Sequence, residues 1–253
     1  MTSSDLVYDC RWSDDCDEQF IDDFNSVQDM VFRGEHTREL FRHQYIDNPY
    51  GASVLVVVYL DGKPVAARGM WRNDLQGKEA YQPGRTCVLP ECRGKGVFTE
   101  MTQRAVGIIP DDAIIYNFPN PNSYPGYIKM GWVGIGEYYI RLFCSSKQFD
   151  QEHPLVMDAT YFNWWVKGRS SLRYIKRNGD YYLVSKYPRP FCYTVLSKVS
   201  KEIAYTCKKA PWYAICWYAS KGKTFYNKNT QPRRPVVRNQ GIDYVPLWKI
   251  DAI

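Results

Sequence analysis

The feature that most limits the fold is a junction near residue 90, where an apolar strand pattern stops and an amphipathic helix begins almost at once. Val88-Leu89-Pro90 ends the strand, and Arg93-Gly94-Lys95-Gly96 forms a short basic loop. From there Val97, Met101, Ala105 and Ile108 recur at helical spacing. The first amides of such a helix have no acceptor within it and form the positive end of its dipole. Glycines let an anion come close to that backbone, and Arg93 and Lys95 add charge. The pattern predicts an anion site suited to a phosphorylated cofactor. It is not a phosphate loop of the GxxxxGK[ST] type. Nor is it a dinucleotide fingerprint, which needs three glycines and an acid about 20 residues on.

Elements on either side of the junction follow from periodicity. Residues 14–32 read as a helix with Phe20, Phe24, Val27 and Val31 on one face and Asp14 and Asp15 at its cap. A second short helix starts near Thr37, carries Leu40, Phe41 and Tyr45, and stops at Asn48-Pro49-Tyr50-Gly51. Residues 53–60 are too uniformly apolar for a strand with one wet face. Asp61-Gly62 is a hairpin signal, 64–71 returns, and 79–89 is a third strand after the turn at Gln76-Gly77-Lys78. Beyond the junction helix come a strand at 113–118, a loop at 120–126, a short helix at 127–130 and a long final strand at 132–143. The order predicts an α+β fold with one strand–loop–helix crossover.

The second half is organised differently. Tyr161-Phe162-Asn163-Trp164-Trp165-Val166 followed by a hairpin at Asn178-Gly179 echoes Leu40-Phe41-Arg42-His43-Gln44-Tyr45 followed by its hairpin. A helix at 198–208 and strands at 211–218 and 235–237 complete it, with no glycine-rich loop at the matching place. Two domains are expected, residues 1–150 and a smaller α+β domain at 151–253. The first carries net −6 and the second net +12. That split fits an anionic partner or mutual complementarity, and composition leaves both open.

With 45% hydrophobic and 16% aromatic residues the chain has enough apolar surface for a packed core. Its longest apolar run, 54–60, is strand-sized, and the N-terminal residues do not look like a secretory signal, so a soluble cytoplasmic protein without a membrane partner is expected. Eight cysteines (10, 16, 87, 92, 144, 192, 207 and 216) show no CxxC pair. His36, His43 and His153 do not cluster with them, so free thiols and no metal are expected. Trp164, Trp165, Trp212, Tyr213, Trp217 and Tyr218 read as core. Lys208-Lys209 and Arg233-Arg234 read as solvated, not as nucleic-acid contacts.

The stretch from Val88 through Glu91-Cys92-Arg93-Gly94-Lys95-Gly96-Val97-Phe98 resembles the cofactor-binding motif [Q/R]xxGx[G/A] of the GNAT superfamily of N-acetyltransferases, with Phe98 where glycine or alanine is usual. Asn117-Phe118-Pro119-Asn120-Pro121-Asn122-Ser123-Tyr124-Pro125-Gly126-Tyr127-Ile128-Lys129-Met130-Gly131-Trp132 is similar to the second motif of that family. Tyr45-Ile46-Asp47-Asn48-Pro49-Tyr50-Gly51 resembles the entry segment of a branch often found near polysaccharide-biosynthesis genes. The second half is similar to the degenerate GNAT-like repeat of some members.

This resemblance implies a GNAT fold binding acetyl-CoA as co-substrate between the strands at 79–89 and 113–118. Backbone of Val88 and Leu89 would hold the pantetheine, and Arg93, Gly94, Lys95, Gly96, Val97 and Phe98 the pyrophosphate. Tyr127 matches the proton donor to the departing thiolate, with Tyr124 as the substitute one turn away. Asn117, Asn120, Asn122 and Ser123 would meet a small-molecule amine acceptor such as an amino sugar. Thr86 and Cys87 stand where some relatives have a glutamate base, which leaves Glu79, Glu91 or the terminal carboxylate of Ile253 as candidates, with Cys87 as an acyl-carrying nucleophile the alternative. A non-catalytic module that binds CoA or an anionic glycan or nucleic acid is the alternative.

Overall fold

The structure, a computed structural model, describes residues 6–32, 36–75, 77–167, 169–186, 189–222, 231–238, 242 and 244–246. The chain forms two compact units. One comprises Met1–Asn117, Pro121–Val133 and Val236–Ile242; the other comprises Phe118–Asn120, Gly134–Pro235 and Asp243–Ile253. Residues 134–150, which the sequence places with the first domain, thus group with the second unit. No described helix is long and apolar enough to cross a membrane.

The first unit opens on a strand that periodicity alone missed, β1 (Leu6–Trp12), which pairs antiparallel with β2 (Val54–Leu60). Between them lie α1 (Glu18–Phe32) and α2 (Arg38–Phe41), the latter running into a π-helical turn at Arg42–Ile46. The cap of α1 is Asp17, whose Oδ1 accepts from the Phe20 amide at 2.8 Å, and not Asp14 or Asp15, which sit in a preceding 3-10 turn. Thr37 caps α2 by accepting from the Leu40 amide at 3.1 Å. β2 turns through Asp61 and Gly62 (φ 51° and 74°) into β3 (Lys63–Arg72), and β4 (Ala80–Val88) follows antiparallel. Then come α3 (Val97–Ile108), β5 (Ile114–Asn117), α4 (Tyr124–Lys129) and β6 (Val133–Gly134).

The apolar run of β2 is buried on both faces, as its composition requires. Val54, Val56 and Val58 join Ala66, Met70, Val97, Met101 and Ala105 in the core beneath α3. The intervening residues face the other side, where α1 packs on the sheet. Gly69 is required by that second face. A Cβ there would lie 2.5 Å from the Tyr45 hydroxyl oxygen and 2.9 Å from its Cζ. Tyr45 is itself 2% exposed and wedged between Phe24 and Phe41. Gly69→Ala is therefore expected to destabilise the fold by about 1–3 kcal/mol. Urea unfolding checks this, and an unmoved midpoint would contradict the close approach.

In the second unit, β7 (Tyr138–Leu142) precedes α5 (Ser146–Glu152), α6 (Ala159–Tyr161) and a π-helical turn at Phe162–Val166. A meander follows of β8 (Leu172–Arg177), β9 (Asp180–Lys186) and β10 (Cys192–Val199). After α7 (Lys201–Tyr205) and β11 (Lys208–Lys209), β12 (Ile215–Lys221) lies parallel to β10. The expected helix at 198–208 is thus shorter, because β10 continues to Val199. The aromatic core holds Phe143, Phe149, Tyr182, Tyr193 and Tyr218. Trp212 and Tyr213 correct the expectation that they are core: Trp212 is 91% and Tyr213 48% exposed, in the turn before β12.

Each sheet contains a strand that is remote in sequence. The long strand expected at 132–143 is broken at Gly134 and Gly136 into β6 and β7, and β7 pairs with β12 in the second sheet. Conversely β13 (Val236–Arg238) pairs antiparallel with β5 in the first. The first sheet runs β1-β2-β3-β4-β5-β13-β6 and the second β11-β8-β9-β10-β12-β7.

The two units repeat one order of elements. In each, a short helix enters a π-helical turn, three antiparallel strands follow, and a helix leads to a strand parallel to the third. Each π turn is closed by a 2.7 Å bond five residues long, from the Asp47 amide to the Arg42 carbonyl and from the Lys167 amide to the Phe162 carbonyl.

Candidate functional site

The site begins where β4 and β5 part. They pair in parallel at Ala80 with Ile114 and Tyr81 with Ile115, and from Gln82 onward no described strand pairs with that edge of β4, which is open among the described residues. Pro83 lies just past the split and has no amide with which to extend the ladder. On the β3 side, Ala67 is opposite Cys87 and Gly69 opposite Gly84, so Arg68 faces two residues, Arg85 and Thr86, across a bulge. Arg85 takes φ 49°, and its carbonyl accepts from Gln28 Nε2 of α1.

At the end of β4, Leu89 donates its amide to the Val65 carbonyl of β3 at 2.9 Å. Neighbouring residues of a strand direct their backbone polar groups to opposite edges, so those of Val88 face the open edge and those of Leu89 do not. The Val88 carbonyl accepts from Arg93 Nε at 2.9 Å, which folds that guanidinium back along the strand end. A 3-10 turn, Pro90–Cys92, anchors the loop through the fully buried Cys92.

Gly94 and Gly96 take φ 74° and 78°, and Gly96 is the N-cap of α3 without any side-chain cap. A Cβ at either glycine would meet nothing within 4 Å among the described residues. Lys95 is exposed beside them and Val97 is buried beneath. The side chain of Phe98 packs toward α4, its ring 5.4 Å from that of Tyr127 and edge-on to it. Gly126 makes room for it, since a Cβ there would lie 3.1 Å from Phe98 Cε1.

Tyr127 is 2% exposed, held between Phe98 and Trp132, whose ring centre lies 4.8 Å away. Its hydroxyl accepts from Nη2 of Arg68 at 2.6 Å. Sequence reasoning missed Arg68, although a lone charge inside the apolar run 65–71 was a signal. Tyr124 is half-buried against the same core. Asn117 is buried at the end of β5, where it pairs with Val236 of β13. Asn122 is exposed, and Ser123 precedes α4 with its carbonyl accepting from the Tyr127 amide at 3.2 Å. Asn120 is exposed and belongs to the second unit.

Among the candidate bases, burial pushes the Cys87 thiol up to about 12, so it stays protonated at neutral pH and is unsuited to nucleophilic work. Glu79 is tied to Arg72 Nη1 at 3.0 Å and to the Tyr81 hydroxyl at 2.6 Å. Thr86 is half-buried in the bulge and Glu91 exposed in the 3-10 turn. Ile253 lies outside the described residues.

Residues 14–134, just under half of the chain, match the family described as acetyltransferase (GNAT) domain. No curated protein matches the sequence. Among solved structures, a GCN5-related N-acetyltransferase from Anabaena variabilis is similar at 10% identity, with 91% of this chain and 72% of that one covered and a TM-score of 0.55. One from Kribbella flavida has 13% identity, covers 91% and 72%, and has a TM-score of 0.51. A Pyrococcus horikoshii protein has 14% identity over 94% of this chain and 92% of its own, with a TM-score of 0.54. The fold is the GNAT acyltransferase fold.

Proposed function

We propose that the chain, whose residues 14–134 match the acetyltransferase (GNAT) domain, transfers an acetyl group from acetyl-CoA to the amine of a small acceptor such as an amino sugar. The observation that carries this reading is the open edge of β4 leading into an uncapped, glycine-lined helix N-terminus. Such an end attracts phosphate oxygens through its free amides and dipole. Acetyl-CoA would supply the activated thioester, and the residues of Arg93–Phe98 would hold its pyrophosphate. The Val88 amide, directed to the open edge, would hydrogen-bond the acyl oxygen as negative charge develops there. Leu89, whose amide serves β3 and whose carbonyl accepts from the Cys92 amide, would contribute packing only.

Tyr127 is the proton donor in this reading, and Asn117, Asn122 and Ser123 border its approach from within the same unit. The second unit is best read as a degenerate copy of the first, because its elements follow the same order while α7 follows β10 without a glycine loop. Its net positive charge suits an anionic acceptor. All eight cysteines are free thiols, which fits a reducing, cytoplasmic setting.

Calorimetry with acetyl-CoA, wild type against Gly96→Trp, tests the cradle. A side chain at φ 78° carries a backbone penalty of about 1–2 kcal/mol, and its Cβ would meet nothing within 4 Å. The variant is expected to stay folded and to lose about 100-fold or more in affinity, close to 3 kcal/mol. Equal binding by both proteins would place the cofactor elsewhere. Wild-type binding without CoA release to glucosamine or alkylamines would favour a binding module over an enzyme.

A further inference from the structure

The bulge leaves Arg68 on the same face of the first sheet as Ala66 and Met70, beneath α3. The residue is 0% exposed. Its guanidinium carbon lies 5.1 Å from the ring centre of Phe98 and 5.6 Å from that of Tyr127, and Nη2 donates to the Tyr127 hydroxyl. Nε and Nη1 have no partner among the described residues. A buried cation without a counter-ion costs stability, and an apolar side chain of similar volume often does better. Packing therefore does not account for an arginine here.

What the arginine does supply is direction. A guanidinium has donors and no acceptor, so a hydroxyl that accepts from it must send its own proton elsewhere. Arg68 donates to the Tyr127 hydroxyl, and the rings of Phe98 and Trp132 pack against the Tyr127 ring.

We propose that Arg68 is the positioning residue of the transfer reaction, orienting the Tyr127 proton toward the departing sulfur and holding the phenolate left behind. The inference rests on the transferase reading above. The amine nitrogen forms its bond to the acyl carbon, and the carbon–sulfur bond breaks with its electron pair on sulfur. Tyr127 passes its proton to that sulfur, giving the free thiol. The phenolate, held by Arg68, regains the proton that the acylated nitrogen releases, by way of solvent.

The test compares Arg68→Met, Arg68→Lys, Tyr127→Phe and the double variant Arg68→Met/Tyr127→Phe. Arg68→Met is expected to lower kcat about 30-fold while KM for acetyl-CoA stays within about threefold, a share of what a general acid supplies. Its melting temperature should not fall, and Arg68→Lys should recover part of the rate. The two losses should be far from additive in the double variant. Wild-type kcat in Arg68→Met, with or without a lower melting temperature, would overturn the inference and leave Arg68 a structural group. Full activity in Tyr127→Phe would overturn the acid role itself, and the inference with it. If the wild type transfers to no amine, the transferase reading fails and the inference that rests on it fails with it, whereas an active wild type matched by Arg68→Met sinks the inference alone.

Discussion

Tyr127→Phe is expected to slow CoA release by about 100-fold or more, the usual worth of a positioned acid, while acetyl-CoA binding is retained. The ring is kept, so its contacts with Phe98 and Trp132 survive. What is lost is one proton at the point where the sulfur leaves, and one acceptor for Arg68. The second loss has its own readout. With the hydroxyl gone, a fully buried guanidinium keeps no hydrogen-bond partner among the described residues, which should cost about 1–3 kcal/mol of stability. Replacing Arg68 by methionine in the same chain should restore that stability without restoring the rate. Steady-state CoA release and urea unfolding separate the two effects. A Tyr127→Phe protein with unchanged kcat would remove this tyrosine from the chemistry.

The second large effect concerns β13. Val236 is fully buried in the core beneath α3, although it lies more than 100 residues beyond β5, with which its strand pairs. Val236→Asp would bury a charge with no described partner among apolar side chains. It is expected to cost about 4 kcal/mol or more and to leave little folded protein. Val133→Asp is the control, since Val133 is 62% exposed, and a surface change of this kind should stay within about 0.5 kcal/mol. Equal urea midpoints for the two variants would mean that β13 does not belong to the first sheet.

Periodicity and turn chemistry made much of the local structure legible. Phe20, Phe24 and Val27 marked the buried face of α1, and Asp61-Gly62 and Asn178-Gly179 marked two hairpins whose first residues take φ 51° and 50°. The uniform apolarity of β2 announced a strand covered on both faces. The β1 strand escaped because Asp9 and Arg11, paired with each other at 2.7 Å, interrupt its apolar pattern. Trp212 and Tyr213 escaped because aromatic content marks apolar surface without saying whether a turn will bury it.

By itself, then, the sequence determined what depends on neighbours along the chain: the strand that ends at Val88, the loop with glycines at 94 and 96, the helix that starts at Val97, and hence a glycine-lined helix N-terminus at their junction. Short-range sterics and unpaired terminal amides suffice for that. Only the tertiary structure decided that β7 and β13 join sheets far from them in sequence, and that Arg68 meets Tyr127 across 59 residues. Alternation tells which face of a strand is buried but not which strand lies beside it, because that choice is made by the packing of the whole core.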